Sequence, residues 1–230
     1  MKTIGIVGGM SWESSAEYYR LINENIKSRL GPTHSAELVM YSMDFQRAAQ
    51  LELEERWEEL ATILIDAIAR LEKAGAEFVI MASNTVHKVA DAVQRSIHVP
   101  LPHIADVTAE AITKAGISTV GLLGTRFVME QDFYKERFRT KGIDVVVPDR
   151  VARDYVHNVI FNELCAGQLI PESKQKIQAM ILDLQRAGAE AVVLACTELP
   201  LLIHFDDTPV KLFDTMALHV NEAVTLALEE

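Results

Sequence analysis

Two segments of this 230-residue chain repeat one another. Ala74 to His87 reads AGAEFVIMASNTVH and Ala187 to Pro200 reads AGAEAVVLACTELP, at a constant offset of 113 residues. Each copy passes from a helix end through a glycine turn, Gly75 or Gly188, into a short apolar run. It closes on a small nucleophilic side chain with polar neighbours: Ser83 beside Asn84 and Thr85, Cys196 beside Thr197 and Glu198. Continuous apolar runs of this length, between turn signals and helical patterns, predict parallel strands covered on both faces. A unit written twice predicts two similar halves with one reactive position each. A cleft between such halves would present the two positions from opposite sides, the geometry that proton transfer at a carbon stereocentre needs.

The duplication extends beyond these segments. Thr3 to Val7 (TIGIV) reads as a strand closed by Gly8-Gly9, and Thr119 to Leu123 (TVGLL) matches it, with Gly124-Thr125 falling 116 residues after Gly8-Gly9 and Tyr134 opposite Tyr18. In the first half, helical spacing marks Trp12 to Leu30 and Trp57 to Lys73, with a strand over Glu37 to Met43 and another over Phe78 to Met81. Thr85 to Gln94 begins a further helix, for which Ser83 and Asn84 are N-cap candidates. In the second half Gly142 closes a helix, Asp144 to Val147 is a strand, and Asp154 to Leu164 and Ser173 to Arg186 are helices. The stretches Pro102 to Asp106 and Val210 to Asp214 each end in Asp before an apolar helix, where the chain crosses between halves. The expected organisation is a first α/β lobe of residues 1–103 plus 212–230 and a second of residues 104–211. Ligands of parallel α/β sheets bind beyond the carboxyl ends of the strands, which places Gly8 to Ser11, Ser83 to Thr85, Gly124 to Thr125 and Cys196 to Glu198 at one crevice.

Composition narrows the function classes. A net charge of −11 argues against nucleic acid, whose phosphates require a clustered basic surface, so a small molecule is the expected partner. No apolar run reaches the roughly 18 residues of a membrane span, and MKTIGIVGGMSW lacks the apolar core of a signal peptide. The expected location is the cytoplasm, with no membrane partner. Cys165 and Cys196, without CxxC or HxxxH spacing, read as free thiols rather than as a disulfide or a zinc site.

Cys196 is the leading candidate nucleophile. It follows an apolar strand at a point where the next backbone N–H groups point outward, a position that lowers a thiol's pKa. A small core residue ending a strand is the plain alternative, and the matching small polar residues around Ser83 weigh against it. Cys165, placed inside an amphipathic helix, reads as core. Asn84, Thr85, Thr197 and Glu198 offer amide, hydroxyl and backbone donors suited to a carboxylate or an enolate-like intermediate, and can cap helices as well. His87 reads as a packing or supporting residue rather than a base. The other histidines lack metal-ligand spacing, and His219 stands in the last helix without a partner. Gly5, Gly8 and Gly9 do not fit the GxGxxG dinucleotide pattern. They predict a tight turn at which backbone N–H groups, Met10 and Ser11 approach a small anion. Arg47 is the best-placed cation for a substrate carboxylate, or else an exposed arginine at a helix start. Glu52 to Glu59 (ELEERWEE) reads as a solvated helix face.

The stretches IGIVGGMSWES, SNTVHKVAD and ACTELP resemble the aspartate/glutamate racemase family, and the likeness spans nearly the whole chain. GGMSWESS and LGTRFVMEQDFY are most similar to its branch of broad or L-aspartate/L-glutamate specificity. The resemblance implies two pseudo-symmetric parallel-sheet α/β lobes with the active site in the cleft between them, usually in a homodimer. It implies racemisation with no cofactor, neither pyridoxal phosphate nor metal, by two cysteines that flank Cα. Carried onto this sequence, the catalytic positions are Cys196 and Ser83. Met10, Ser11, Arg47, Asn84, Thr85, Thr125, Thr197 and Glu198 become the expected substrate contacts. Ser83 is a departure, since the family motif there is CNT. A hydroxyl is a far weaker acid than a thiol, so the two faces become unequal. The resemblance, in which the second-half cysteine serves the L-enantiomer, implies abstraction from L-substrate by Cys196, reprotonation by Ser83 directly or through water, and hence an L-selective enzyme. Cys165 stands near a position where some members carry lysine, and Glu52 where related branches can carry an amide, which would repel an acidic substrate if it faced the cleft. A single-thiol decarboxylase or isomerase of the same superfamily, and a non-catalytic amino-acid-binding relative, are the alternatives.

Overall fold

Ile4–Gly8 (IGIVG) is buried at every position and forms β1, the central strand of the first unit. The computed structural model describes residues 1–229. After β1 comes α1 (Trp12–Leu30), which turns Tyr18, Ile22 and Ile26 inward at a spacing of four and stops at Gly31, whose φ is +116°. β2 (Leu38–Ser42) pairs in parallel with β1. α2 (Phe45–Leu53) follows, its first turn capped by Asp44, whose Oδ1 accepts from Gln46 N at 3.2 Å. α3 (Trp57–Lys73) buries Leu60, Ile63, Leu64, Ala67, Ile68 and Leu71 along one face. β3 (Phe78–Met81) pairs with the other side of β1, giving the order β2-β1-β3. A 3-10 turn (Thr85–Val89) and the short α4 (Ala90–Gln94) follow.

The second unit repeats this with additions. It contains α5 (Ile104–Lys114), β4 (Thr119–Gly124), α6 (Arg126–Glu130), α7 (Asp132–Thr140), β5 (Asp144–Val146), α8 (Arg150–Asn162), α9 (Pro171–Arg186), β6 (Ala191–Ala195), α10 (Leu199–Leu202) and β7 (Lys211–Asp214). All its strand pairs are parallel, in the order β5-β4-β6-β7. α11 (Thr215–Leu228) continues from β7, and its residues from His219 on belong to the first unit.

The repeat is structural down to single hydrogen bonds. Gly75 and Gly188 both take positive φ, +95° and +104°, and the next residue reaches back in each case, Ala76 N to Leu71 O and Ala189 N to Leu184 O at 3.0 Å. Glu77 N donates to Thr3 O and Glu190 N to Thr119 O, both at 2.9 Å, while the two carboxylates accept from Thr3 N (2.7 Å) and Thr119 N (2.9 Å). Hydrogen bonds from Ser118 and Thr119 pull the Glu190 carboxyl below its ordinary pKa. The halves differ at one edge. Val79 N donates to Pro100 O at 2.9 Å, the start of a ladder. Pro100 and Pro102 have no N–H to continue it, so no strand forms where β7 flanks β6.

Several sequence expectations are corrected. The second crossing lies at 218/219 rather than 211/212, because β7 is hydrogen-bonded to β6 and stays with the second unit. α8 starts at Arg150, capped by Asp149, ahead of the expected Asp154. Cys165 lies in a 3-10 turn (Leu164–Ala166), not inside a helix. The acidic run is not one solvated helix face: Glu52 is only 2% exposed, α2 ends at Leu53, and Glu55 takes a φ of +53° before α3 begins.

Candidate functional site

In the first unit, the carboxyl ends of β1 and β3 lie side by side, joined by Ala82 N donating to Val7 O at 2.9 Å. The turn after β1 is built on close approach. A Cβ on Gly8 would lie 2.7 Å from Ser15 Oγ, and one on Gly9, whose φ is +89°, would lie 2.1 Å from Met43 O. Serines in the first turn of α1 lock the loop. Ser15 Oγ accepts from Gly9 N and donates to Ser11 O, both at 2.7 Å, and Ser11 Oγ caps Ser14 N at 3.3 Å. Met10 and Ser11 are thereby buried at the strand end.

Across β3, Ser83, Asn84 and Thr85 are all buried. Asn84 occupies the N-cap of the 3-10 turn, as expected, but without a side-chain capping bond. His87 is buried behind Ser83, with Nδ1 2.7 Å from Ser83 O. Its ring packs on His103 and His219, at centroid distances of 4.8 and 5.6 Å. His219 therefore does have partners: Tyr18 OH at 3.0 Å on Nδ1 and Pro102 O at 3.2 Å on Nε2. Burial pushes the His219 pKa down to about 4, which keeps the ring neutral near pH 7. Sequence reading missed this cluster of Tyr18, His103 and His219, because its members are far apart along the chain and carry no motif. Arg47 stands exposed in the first turn of α2, outside both strand-end turns.

In the second unit, the carboxyl ends of β4 and β6 meet so closely that a Cβ on Gly124 would lie 2.6 Å from Ala195 O. Thr125 is buried and caps α6, its Oγ1 accepting from Val128 N at 3.4 Å. Cys196 follows β6 and is 5% exposed. Its Sγ donates to Glu198 Oε2 at 3.0 Å, and Thr197 Oγ1 donates to the same oxygen at 2.9 Å. Both neighbours are buried.

This geometry overturns the expected acidic thiol. Burial first, and then the Glu198 carboxylate, push the Cys196 pKa well above its ordinary value. The helix that follows has four residues, too short to offset a carboxylate in contact with sulfur. At rest Cys196 is a thiol whose proton is aimed at a base. Among the described residues no group of three His, Cys, Asp or Glu side chains is placed to hold a metal ion, and no helix is long and apolar enough to cross a membrane.

Both half-sites thus consist of a strand-end turn, a small nucleophile and polar neighbours. The profile of the Asp/Glu/hydantoin racemase family matches residues 7–223. The chain belongs to this family. A crystal structure of a candidate Asp/Glu racemase from Yersinia pestis is 42% identical and superposes with a TM-score of 0.91, covering all of both chains. An aspartate racemase homologue from Pyrococcus horikoshii is 40% identical, with a TM-score of 0.86 and the same full coverage. A broad-specificity amino-acid racemase of Bacillus subtilis is 23% identical over 231 residues, 98% of each chain. The two parallel-sheet α/β lobes are the racemase fold, and the match to the family extends through both half-sites.

Proposed function

We propose that this racemase-family protein interconverts the enantiomers of an acidic amino acid, aspartate or glutamate, without a cofactor and with a preference for the L-form. The observation that carries the reading is the inequality of two equivalent positions. Ser83 and Cys196 end corresponding strands, yet only Cys196 is a thiol, and that thiol is hydrogen-bonded to a buried carboxylate. Glu198 takes the Sγ proton when substrate arrives, and the thiolate removes the Cα proton from the L-enantiomer. The Ser83 hydroxyl, directly or through water, then gives a proton to the other face. The cycle closes when solvent carries the proton from Glu198 back to Ser83. General-base assistance of this kind contributes on the order of 10²–10⁴ in rate. Asn84, Thr85, Thr197, Met10, Ser11 and Thr125 supply substrate contacts, and Arg47 the cation for a carboxylate. The same reading makes the protein cytoplasmic and homodimeric.

The test is Cα proton exchange in D2O, followed by NMR, with L- and D-aspartate and glutamate. L-substrates exchange their Cα proton faster than they yield D-product, D-substrates exchange more slowly than L-substrates, and Cys196→Ala abolishes exchange. Ser83→Cys raises turnover from the D side. Activity surviving in Cys196→Ala would sink the mechanism. Binding without exchange of either enantiomer would instead identify a non-catalytic relative, and an altered carbon skeleton a single-thiol decarboxylase or isomerase.

A further inference from the structure

Behind Ser83 the first unit buries imidazoles whose protonation is dictated by main-chain carbonyls. A carbonyl oxygen only accepts, so the 2.7 Å contact between His87 Nδ1 and Ser83 O places the His87 proton on Nδ1. By the same logic His103 donates from Nε2 to His87 O at 3.2 Å. His219 donates from Nε2 to Pro102 O, which leaves its Nδ1 to accept from the buried Tyr18 hydroxyl. The rings of His103 and His219 both pack against that of His87, at 4.8 and 5.6 Å between centroids. The His87 imidazole cannot swing away without displacing one of them. Ser83 N is also committed, donating to Met81 O at 2.9 Å. Both main-chain polar groups of Ser83 are held, and χ1 is its remaining freedom.

We propose that His87 is a positioning residue for Ser83, fixing the Ser83 carbonyl through its Nδ1–H, with His103 and His219 as the buttress that keeps the imidazole in place. The inference rests on the racemase reading, in which Ser83 delivers a proton to one face of the substrate. Its consequence is specific. Loosening Ser83 slows delivery on its own face while leaving abstraction by Cys196 intact, so L-substrate goes on exchanging its Cα proton but inverts less often. A general loss of folding would lower exchange and inversion together.

Two amide substitutions distinguish positioning from packing. Asn places an N–H where His has Nδ1, whereas Gln places it near Nε2. In D2O with L-aspartate or L-glutamate, His87→Gln should raise the ratio of Cα exchange to inversion by about tenfold, the loss of one hydrogen bond's worth of orientation. His87→Asn should bring the ratio back toward that of the unmodified protein, with kcat for inversion affected more than KM. Equal ratios in all three proteins, or a tenfold rise shared by both variants, would overturn the inference. Absence of exchange in the unmodified protein would instead overturn the racemase reading. If either variant fails to fold, imidazole ¹⁵N spectra of the unmodified protein decide. A neutral His87 with the proton on Nδ1 supports the assignment, and one with the proton on Nε2 overturns it.

Discussion

At the scale of single residues, the proposed reaction turns on the pair Cys196 and Glu198. A strand-end thiol near outward-facing amides would ordinarily be acidic. Here the carboxylate 3.0 Å from Sγ reverses that, because a thiolate beside it would be a second negative charge in a buried place. The two effects of Glu198 oppose each other, which makes Glu198→Gln informative. Removing the charge should let the Cys196 thiol titrate at lower pH, read as thiolate absorbance. Turnover of L-substrate should nevertheless fall by about 10²-fold, because the base that takes the proton is gone. Turnover rising along with the thiolate would reduce Glu198 to a suppressor of thiol acidity. That Cys196 closes a duplicated strand was legible in the sequence. Its ionisation was not, because that depends on Glu198 folding back two residues into the same buried spot.

At the scale of elements, the strand-end turns are rigid by close packing. Gly9 and Gly75 both take positive φ, but a Cβ on Gly75 would meet nothing within 4 Å, whereas one on Gly9 would strike Met43. Gly75→Ala should therefore cost about 1 kcal/mol, for backbone conformation alone. Gly9→Ala should cost about 3 kcal/mol and lower Tm by roughly 10 °C, because the β1 turn must separate from the end of β2. Thermal melts of the two variants check the difference. Most elements were readable because their signals are local: the Tyr18, Ile22 and Ile26 stripe gave α1, and the apolar runs gave β1, β3 and β6. α2 went unread. Its buried residues are only Ala48, Leu51 and Glu52, too thin an apolar stripe to separate it from the acidic run that leads to α3.

At the scale of the whole molecule, two similar units carry buried histidines that resist protonation. The folded His219 has a pKa of about 4, depressed from 6.5, so the unfolded chain binds the proton first as pH falls. Its contribution to stability is full above about pH 6.5 and is lost progressively toward pH 4, amounting to up to about 3 kcal/mol. In the second unit burial, and then Arg126, lower the His157 pKa, which acts in the same direction. Melting temperature measured against pH should fall steeply over this window, and His219→Gln should flatten the fall. This dependence was invisible in the sequence, since the partners of His219 lie 201 and 117 residues away, at Tyr18 and Pro102. The first-unit half-site is therefore completed by a helix made after the second unit. Residues 1–103 can emerge and form their sheet while Ser83 still lacks part of its support. The buttress arrives only after the entire second unit has been made, so a chain clipped ahead of α11 would keep every residue named in the proposed reaction and still be unfinished at its serine.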